Sequence, residues 1–130
     1  MDRFEFFAQL PRIQPGAVGF TSLLLTNVDV AADETILDLG AGAGDRTVWL
    51  ARSRCRNIVA QNEDERYTQV LIERAQSGGA TPFLKTVTCG LLELPFEKGQ
   101  FKLILAEWAA TASGLRASLE HWGQFLAPDG

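Results

Sequence analysis

Three glycines at alternate positions, Gly40, Gly42 and Gly44, are the residues of this sequence best suited to hold a ligand. They follow the apolar segment ILDL and precede the amphipathic segment DRTVWLARSR. A glycine turn between a strand and a helix leaves backbone amides accessible, because no side chain blocks the approach of a ligand. The pattern therefore predicts a site in which the backbone itself meets the ligand.

The residue after the third glycine separates two classes of ligand. A dinucleotide site has the spacing G-x-G-x-x-G and places a pyrophosphate at the helix N-terminus. Asp45 occupies the position of the last glycine of that pattern. Its carboxylate suits the helix dipole but repels a pyrophosphate. A ligand that lacks phosphate and carries positive charge is favoured; a dinucleotide, or a tight turn with no ligand, remains an alternative.

The surrounding segments alternate between strand and helix patterns. Apolar runs predict four strands, ETILDLG, NIVAQ, LKTVTC and FKLILAE. Amphipathic runs predict helices at 46–54 and 64–76, and a last helix with an apolar stripe of Leu115, Leu119, Trp122 and Leu126. This order predicts an α/β fold, a Rossmann-like parallel sheet with flanking helices, in which ligands bind beyond the carboxyl ends of the strands.

Composition limits the class of protein. The chain has 130 residues, enough for one domain. A net charge of -4 argues against a nucleic-acid partner, and no apolar run approaches the ~20 residues of a membrane span. The start, MDRFEFFAQLPR, is unlike a signal peptide, so we expect a cytoplasmic protein. Cys55 and Cys89 are expected to be buried thiols, and with His121 they lack metal-ligand spacing.

Several motifs resemble those of the class I S-adenosylmethionine (SAM)-dependent methyltransferases, in particular their small-molecule, type 11-like branch. ILDLGAGAG resembles the family's first motif, an acid followed by G-x-G-x-G. LELPFEKGQFKLILAE resembles the segment that leads into the fourth strand, and SLEHWGQFLAPDG resembles the helix and turn before the fifth. LPRIQPGAVGFT resembles the lead-in of one branch. The resemblance implies SAM as cofactor and methyl transfer to a small molecule.

The resemblance also implies roles for individual residues. Asp38 matches the acid that orders the glycine turn, and the backbone at Gly40, Ala41, Gly42 and Gly44 matches the approach to the methionine moiety and ribose. Asn62 stands where the family has an acid that binds the ribose hydroxyls, with Glu63 as the alternative. Gly90 stands where the family has an acid for the adenine amine, so Leu91 and Leu92 are expected to wall the adenine.

Two residues after the fourth strand match the positions that face the methyl group and the acceptor. Glu107 is predicted to act as a general base or to orient the nucleophile. Trp108 is predicted to form part of the substrate wall.

The resemblance divides the chain into an N-terminal helical cap, 1–30, and a core, 31–130. It implies that the core is truncated before the fifth strand and has about four strands in the order 3-2-1-4. The fourth strand then lies at an apolar edge, which predicts a homo-oligomer through Leu103, Ile104 and Leu105. Two other functions remain open, a catalytically silent SAM-binding or assembly module and an NAD(P)-binding oxidoreductase.

Overall fold

The computed structural model describes residues 2–9, 17–54, 57–107, 109 and 114–130. Five α-helices lie in these ranges: α1 (Arg3–Ala8), α2 (Ala17–Leu24), α3 (Asp45–Arg54), α4 (Glu65–Ser77) and α5 (Leu115–Gly123). The four strands are β1 (Thr35–Leu39), β2 (Asn57–Asn62), β3 (Leu84–Thr88) and β4 (Leu103–Leu105). Short 3-10 turns at Leu25–Asn27 and Thr81–Phe83 complete the described elements.

The four strands form one parallel sheet in the order β3-β2-β1-β4. The inner strand β1 is apolar apart from Thr35 and Asp38, and its last four residues are buried. Such continuous burial is typical of a parallel strand that helices cover on both faces. The predicted fold class and strand order are confirmed.

Apolar side chains form a core on each face of the sheet. On one face Ile36 and Ile58 pack with Leu50 of α3 and Ala75 of α4. On the other face the alternate residues of the same strands meet α5 and the segment that follows it, in a cluster of Leu37, Leu39, Val59, Trp122 and Phe125. The alternation along β1 and β2 fixes the register, because a shift by one residue would exchange the two faces.

Two details of the sequence prediction are wrong. The predicted apolar stripe of α5 is not buried: Leu115 is 64% exposed and Leu119 57% exposed, and only Trp122 of the four packs from within the helix. Leu126 lies beyond the end of α5 and pairs with Phe101 in a parallel bridge. The fourth strand is also shorter than the run FKLILAE, because only Leu103–Leu105 pairs with β1.

Charged and aromatic contacts bind α1 to α4. Arg66 on α4 contacts Asp2 at 2.8 Å and Asp64 at 2.6 Å, and its guanidinium lies 4.6 Å from the ring centre of Phe4. The Phe4 ring meets Tyr67 edge to face. The hydrogen bonds from Arg66 lower the pKa of the Asp64 carboxyl. No helix within the described ranges is long and apolar enough to span a membrane.

Candidate functional site

The glycine turn connects β1 to α3 at the carboxyl end of the sheet. Gly42 has φ +60°, and a Cβ added there would meet no atom within 4 Å. Gly44 differs, because a Cβ there would lie 2.7 Å from Leu71. Gly44 is therefore required for packing against α4, whereas Gly42 borders open space that a side chain would fill. Such space suits a ligand, and the residues present fit the predicted cofactor by close approach. The prediction of accessible amides is wrong, because the amides of Gly40, Ala41, Gly42 and Gly44 already donate to acceptors within the protein.

Two amide side chains at the end of β2 hold this turn. The Asn62 Oδ1 accepts from the amide of Gly42 at 2.7 Å, and its Nδ2 donates to the Gly42 carbonyl at 3.1 Å. Gln61 accepts from the amide of Gly40 at 3.0 Å and donates to the carbonyl of Cys89 at 2.5 Å. Gln61 thus links the ends of three strands, and the sequence analysis missed it. Its signal was a polar residue at the end of an apolar strand.

Asp38, the acid of the first motif, lies on β1, and its side chain is fully buried against α3. One carboxylate oxygen forms an ion pair with Arg46, and the other accepts from the Thr47 hydroxyl at 2.6 Å. Both partners lie in the first turn of α3, so Asp38 fixes the start of that helix and the turn before it. Arg46 was correctly predicted to lie in this helix, but its ion pair with Asp38 was not predicted.

Arg46 joins Asp38 to a second carboxylate. Its Nη1 lies 3.1 Å from Glu107 Oε2, and the residue is only 5% exposed. Burial alone lowers the pKa of Arg46, but the carboxylates of Asp38 and Glu107 outweigh it, so the pKa of the guanidinium is raised above its ordinary value. Its Nε and Nη1 have no aligned hydrogen-bond acceptor among the described atoms. The cluster of two carboxylates and one guanidinium carries one excess negative charge.

The second oxygen of Glu107 is also engaged. Thr21 of α2 donates its hydroxyl to Glu107 Oε1 at 2.9 Å, across 86 residues of sequence. The structure therefore brings Asp38 and Glu107 together through Arg46 at the carboxyl ends of β1 and β4. Trp108, the predicted substrate wall, lies outside the described residues, as does Cys55.

The remaining predicted site residues follow β2 and β3. Glu63 is exposed and accepts weakly from the amide of Leu91, at 3.4 Å. Leu91 packs on the α5 core, and its carbonyl accepts from the indole of Trp122 at 2.9 Å, whereas Leu92 is 48% exposed. Leu91 therefore lies beside Glu63, and the contact of Leu91 and Leu92 with adenine stays a prediction.

The thiol of Cys89 is half-buried and not buried as predicted. Burial, with the charges of Glu93 and Glu63, raises the pKa of the Cys89 thiol, which disfavours the thiolate. Across the described ranges no three His, Cys, Asp or Glu side chains are arranged to hold a metal ion. A cavity of about 510 Å³ lies at the opposite end of the sheet, between residues 25–30 and Ile36. We favour the glycine turn over this cavity because the turn joins the open space at Gly42 to the converging side chains of Gln61 and Asn62.

Comparisons with known proteins identify the family of the chain. The model of a family described as "Methyltransferase domain" matches residues 36–130. The uncharacterized methyltransferase YodH of Bacillus subtilis is 27% identical over 116 residues, which are 89% of this chain and 48% of YodH.

Solved structures share the fold. The MccD protein superposes with a TM-score of 0.79 at 20% identity, covering 89% of this chain and 51% of MccD. Geranyl diphosphate methyltransferase in complex with SAM gives a TM-score of 0.75 at 20% identity, over 85% of this chain and 45% of that protein. The chain thus spans about half the length of these relatives. With the family match over most of the sequence, the chain belongs to the class I SAM-dependent methyltransferases.

Proposed function

We propose that this chain binds SAM at the glycine turn and contributes to methyl transfer onto a small-molecule acceptor. The observation that carries the proposal is the open space at Gly42, beside backbone that Asn62 holds in place. The excess negative charge of the Asp38, Arg46 and Glu107 cluster also suits a cofactor with a sulfonium and an ammonium group.

In this proposal each part of the site binds one part of the cofactor. The backbone at Gly40, Ala41, Gly42 and Gly44 approaches the methionine moiety and the ribose, and Asp38 fixes that backbone through α3. Asn62 or Glu63 accepts from the ribose hydroxyls, and Leu91 and Leu92 contact the adenine. Because both groups of the Asn62 amide already bind Gly42, the exposed carboxylate of Glu63 is the freer acceptor.

SAM supplies a methyl group on a sulfonium that is already a good leaving group. The chain has to bind the cofactor, exclude water and align the acceptor in line with the methyl and the sulfur. Trp108 as a substrate wall stays a prediction, as does Glu107, either as a general base or as a group that orients the nucleophile. The cap at 1–30, the core at 31–130 and a cytoplasmic location likewise belong to the proposal.

Two alternative functions differ in the ligand or in turnover. A silent relative binds SAM without methyl transfer, whereas an oxidoreductase binds a nicotinamide dinucleotide. Asp45 disfavours the dinucleotide, although Arg74 pairs with this carboxylate at 2.9 Å and reduces the repulsion. Titration calorimetry with SAM and with NAD tests the proposal: we expect heat of binding with SAM alone. Binding of NAD but not SAM would exclude methyl transfer.

We expect Asn62→Asp to tighten SAM binding a few-fold. The substitution keeps an acceptor for the Gly42 amide and offers a charged oxygen to the ribose, and hydrogen bonds to charged groups are the stronger ones. It also replaces the donor to the Gly42 carbonyl by a carboxylate oxygen at a buried position, so the free energy of unfolding falls by about 1–3 kcal/mol. Calorimetry and urea unfolding measure both effects. Unchanged or weaker SAM affinity would place the ribose away from residue 62.

We propose, in addition, that a second copy of the chain covers the edge of the sheet. Among the described strands β4 pairs only with β1, and Leu103 and Ile104 are half-buried. The pairing of Phe101 with Leu126 covers only the approach to this strand. Unpaired strand edges associate readily. Light scattering should therefore show a dimer or larger assembly that Ile104→Lys disrupts; a monodisperse monomer at high concentration would contradict this.

A further inference from the structure

Helix α2 exposes its apolar residues and buries a hydroxyl. Phe20, Leu23 and Leu24 are 51%, 62% and 43% exposed, whereas Thr21 between them is fully buried. A helix that is held by apolar packing shows the opposite pattern. The contact of Thr21 with Glu107 is therefore a principal attachment of α2 to the carboxyl end of the sheet.

That attachment continues without a break to the glycine turn. The hydroxyl of Thr21 donates to Glu107, Glu107 pairs with Arg46, and Arg46 pairs with the fully buried Asp38 beside Gly40. Each oxygen of Glu107 has a partner, so the carboxylate is held in one orientation. A carboxylate with both oxygens engaged is poorly placed to accept a proton from an acceptor molecule, because accepting it would weaken both contacts.

We propose that Glu107 is a positioning residue, which holds helix α2 through Thr21 and is itself oriented by Arg46, so that docking of α2 and binding of SAM favour each other. The coupling to SAM binding rests on the proposed function, whereas the attachment of α2 does not. The coupling is reciprocal: if a docked α2 favours SAM by some factor, then saturating SAM shifts the opening equilibrium of α2 toward the docked state by the same factor. Glu107 thereby connects the N-terminal helix to the cofactor site instead of moving a proton.

Variants of Thr21 and of a control residue test the attachment of α2 to Glu107. Thr21→Val removes the hydroxyl at nearly constant shape, and Thr21→Ser restores it. Thr26→Val is the matched control, because the Thr26 hydroxyl bonds to near neighbours along the chain, the Leu23 carbonyl at 2.7 Å and the Asn27 amide group at 3.1 Å. Amide hydrogen exchange of residues 18–24, with the amides of β1 as the internal reference for folding, measures the docking of α2.

We expect Thr21→Val to speed exchange in α2 and to weaken SAM binding by about tenfold each, the scale of one hydrogen bond to a charged group. Thr21→Ser and Thr26→Val should leave both unchanged. Glu107→Ala should reproduce Thr21→Val, because it removes the acceptor of the Thr21 hydroxyl. Glu107→Gln can offer its oxygen to Arg46 and its amide group to the Thr21 hydroxyl, so it should leave exchange, affinity and turnover nearly unchanged. If Glu107 is instead a base, Glu107→Gln abolishes turnover and changes neither exchange nor affinity.

The outcomes distinguish this inference from the proposed function. Unchanged α2 exchange in Thr21→Val overturns the attachment whatever SAM does. Faster exchange with unaltered SAM affinity overturns the coupling. If the unsubstituted chain binds no SAM, the proposed function fails and the coupling with it, while the exchange rates without ligand still decide the attachment.

Discussion

A Gly42→Val variant is expected to bind SAM at least about a hundredfold more weakly than the unsubstituted chain, while the sheet stays folded. The added side chain projects into space where no atom of the described chain lies within 4 Å, so it meets the ligand and not the protein. A branched residue at φ +60° also strains the turn by roughly 1–3 kcal/mol. Calorimetry with SAM, beside circular dichroism for the fold, measures the effect.

The backbone strain needs its own control. Gly79 after α4 has φ +68° and equally open surroundings, but it lies away from the proposed site. Gly79→Val should therefore lower the thermal midpoint about as much as Gly42→Val and leave SAM affinity unchanged. Equal SAM affinity in the two variants would place the cofactor elsewhere.

The second large effect concerns stability. Asp38→Ala is expected to reduce the free energy of unfolding by about 3–5 kcal/mol, because it leaves the buried Arg46 with only one of its two carboxylate partners. Loss of the bond to Thr47 adds to the effect by freeing the first turn of α3. Urea unfolding followed by tryptophan fluorescence provides the measurement.

A surface ion pair supplies the comparison for Asp38. Asp129 pairs with Lys102 at 2.7 Å, but its side chain is 73% exposed. Asp129→Ala should leave the urea midpoint nearly unchanged, since exposed pairs contribute little. An Asp38→Ala protein as stable as Asp129→Ala would show that the buried cluster does not hold β1 to α3.

The local parts of the fold could be predicted from the sequence because their signals are local. The run ILDL followed by alternating glycines is sufficient to predict β1, the turn and the start of α3. The end of α4 follows similarly from its glycines. The strand order was predicted from the resemblance to the methyltransferase family. Such a resemblance concerns the whole fold and does not predict single contacts.

The contacts within the site could not be predicted in this way. Thr21 and Glu107 are 86 residues apart, and no periodicity connects a hydroxyl on one helix to a carboxylate after a distant strand. Asn62 was predicted to bind the ribose, whereas its bonds to the Gly42 backbone depend on side-chain geometry that the sequence does not show. The stripe on α5 failed because helical spacing marks one face without saying that another element covers it.

Location of the ligand tests the central claim most directly. The measurement is a titration of the ¹⁵N-labelled chain with SAM, followed through its backbone amide signals. We predict that the signals of Gly40, Gly42, Gly44 and Asn62 move with one common affinity, while those of residues 25–30, at the cavity on the opposite end of the sheet, stay in place. Shifts at residues 25–30 with unmoved glycine signals would contradict the assignment of the glycine turn as the cofactor site.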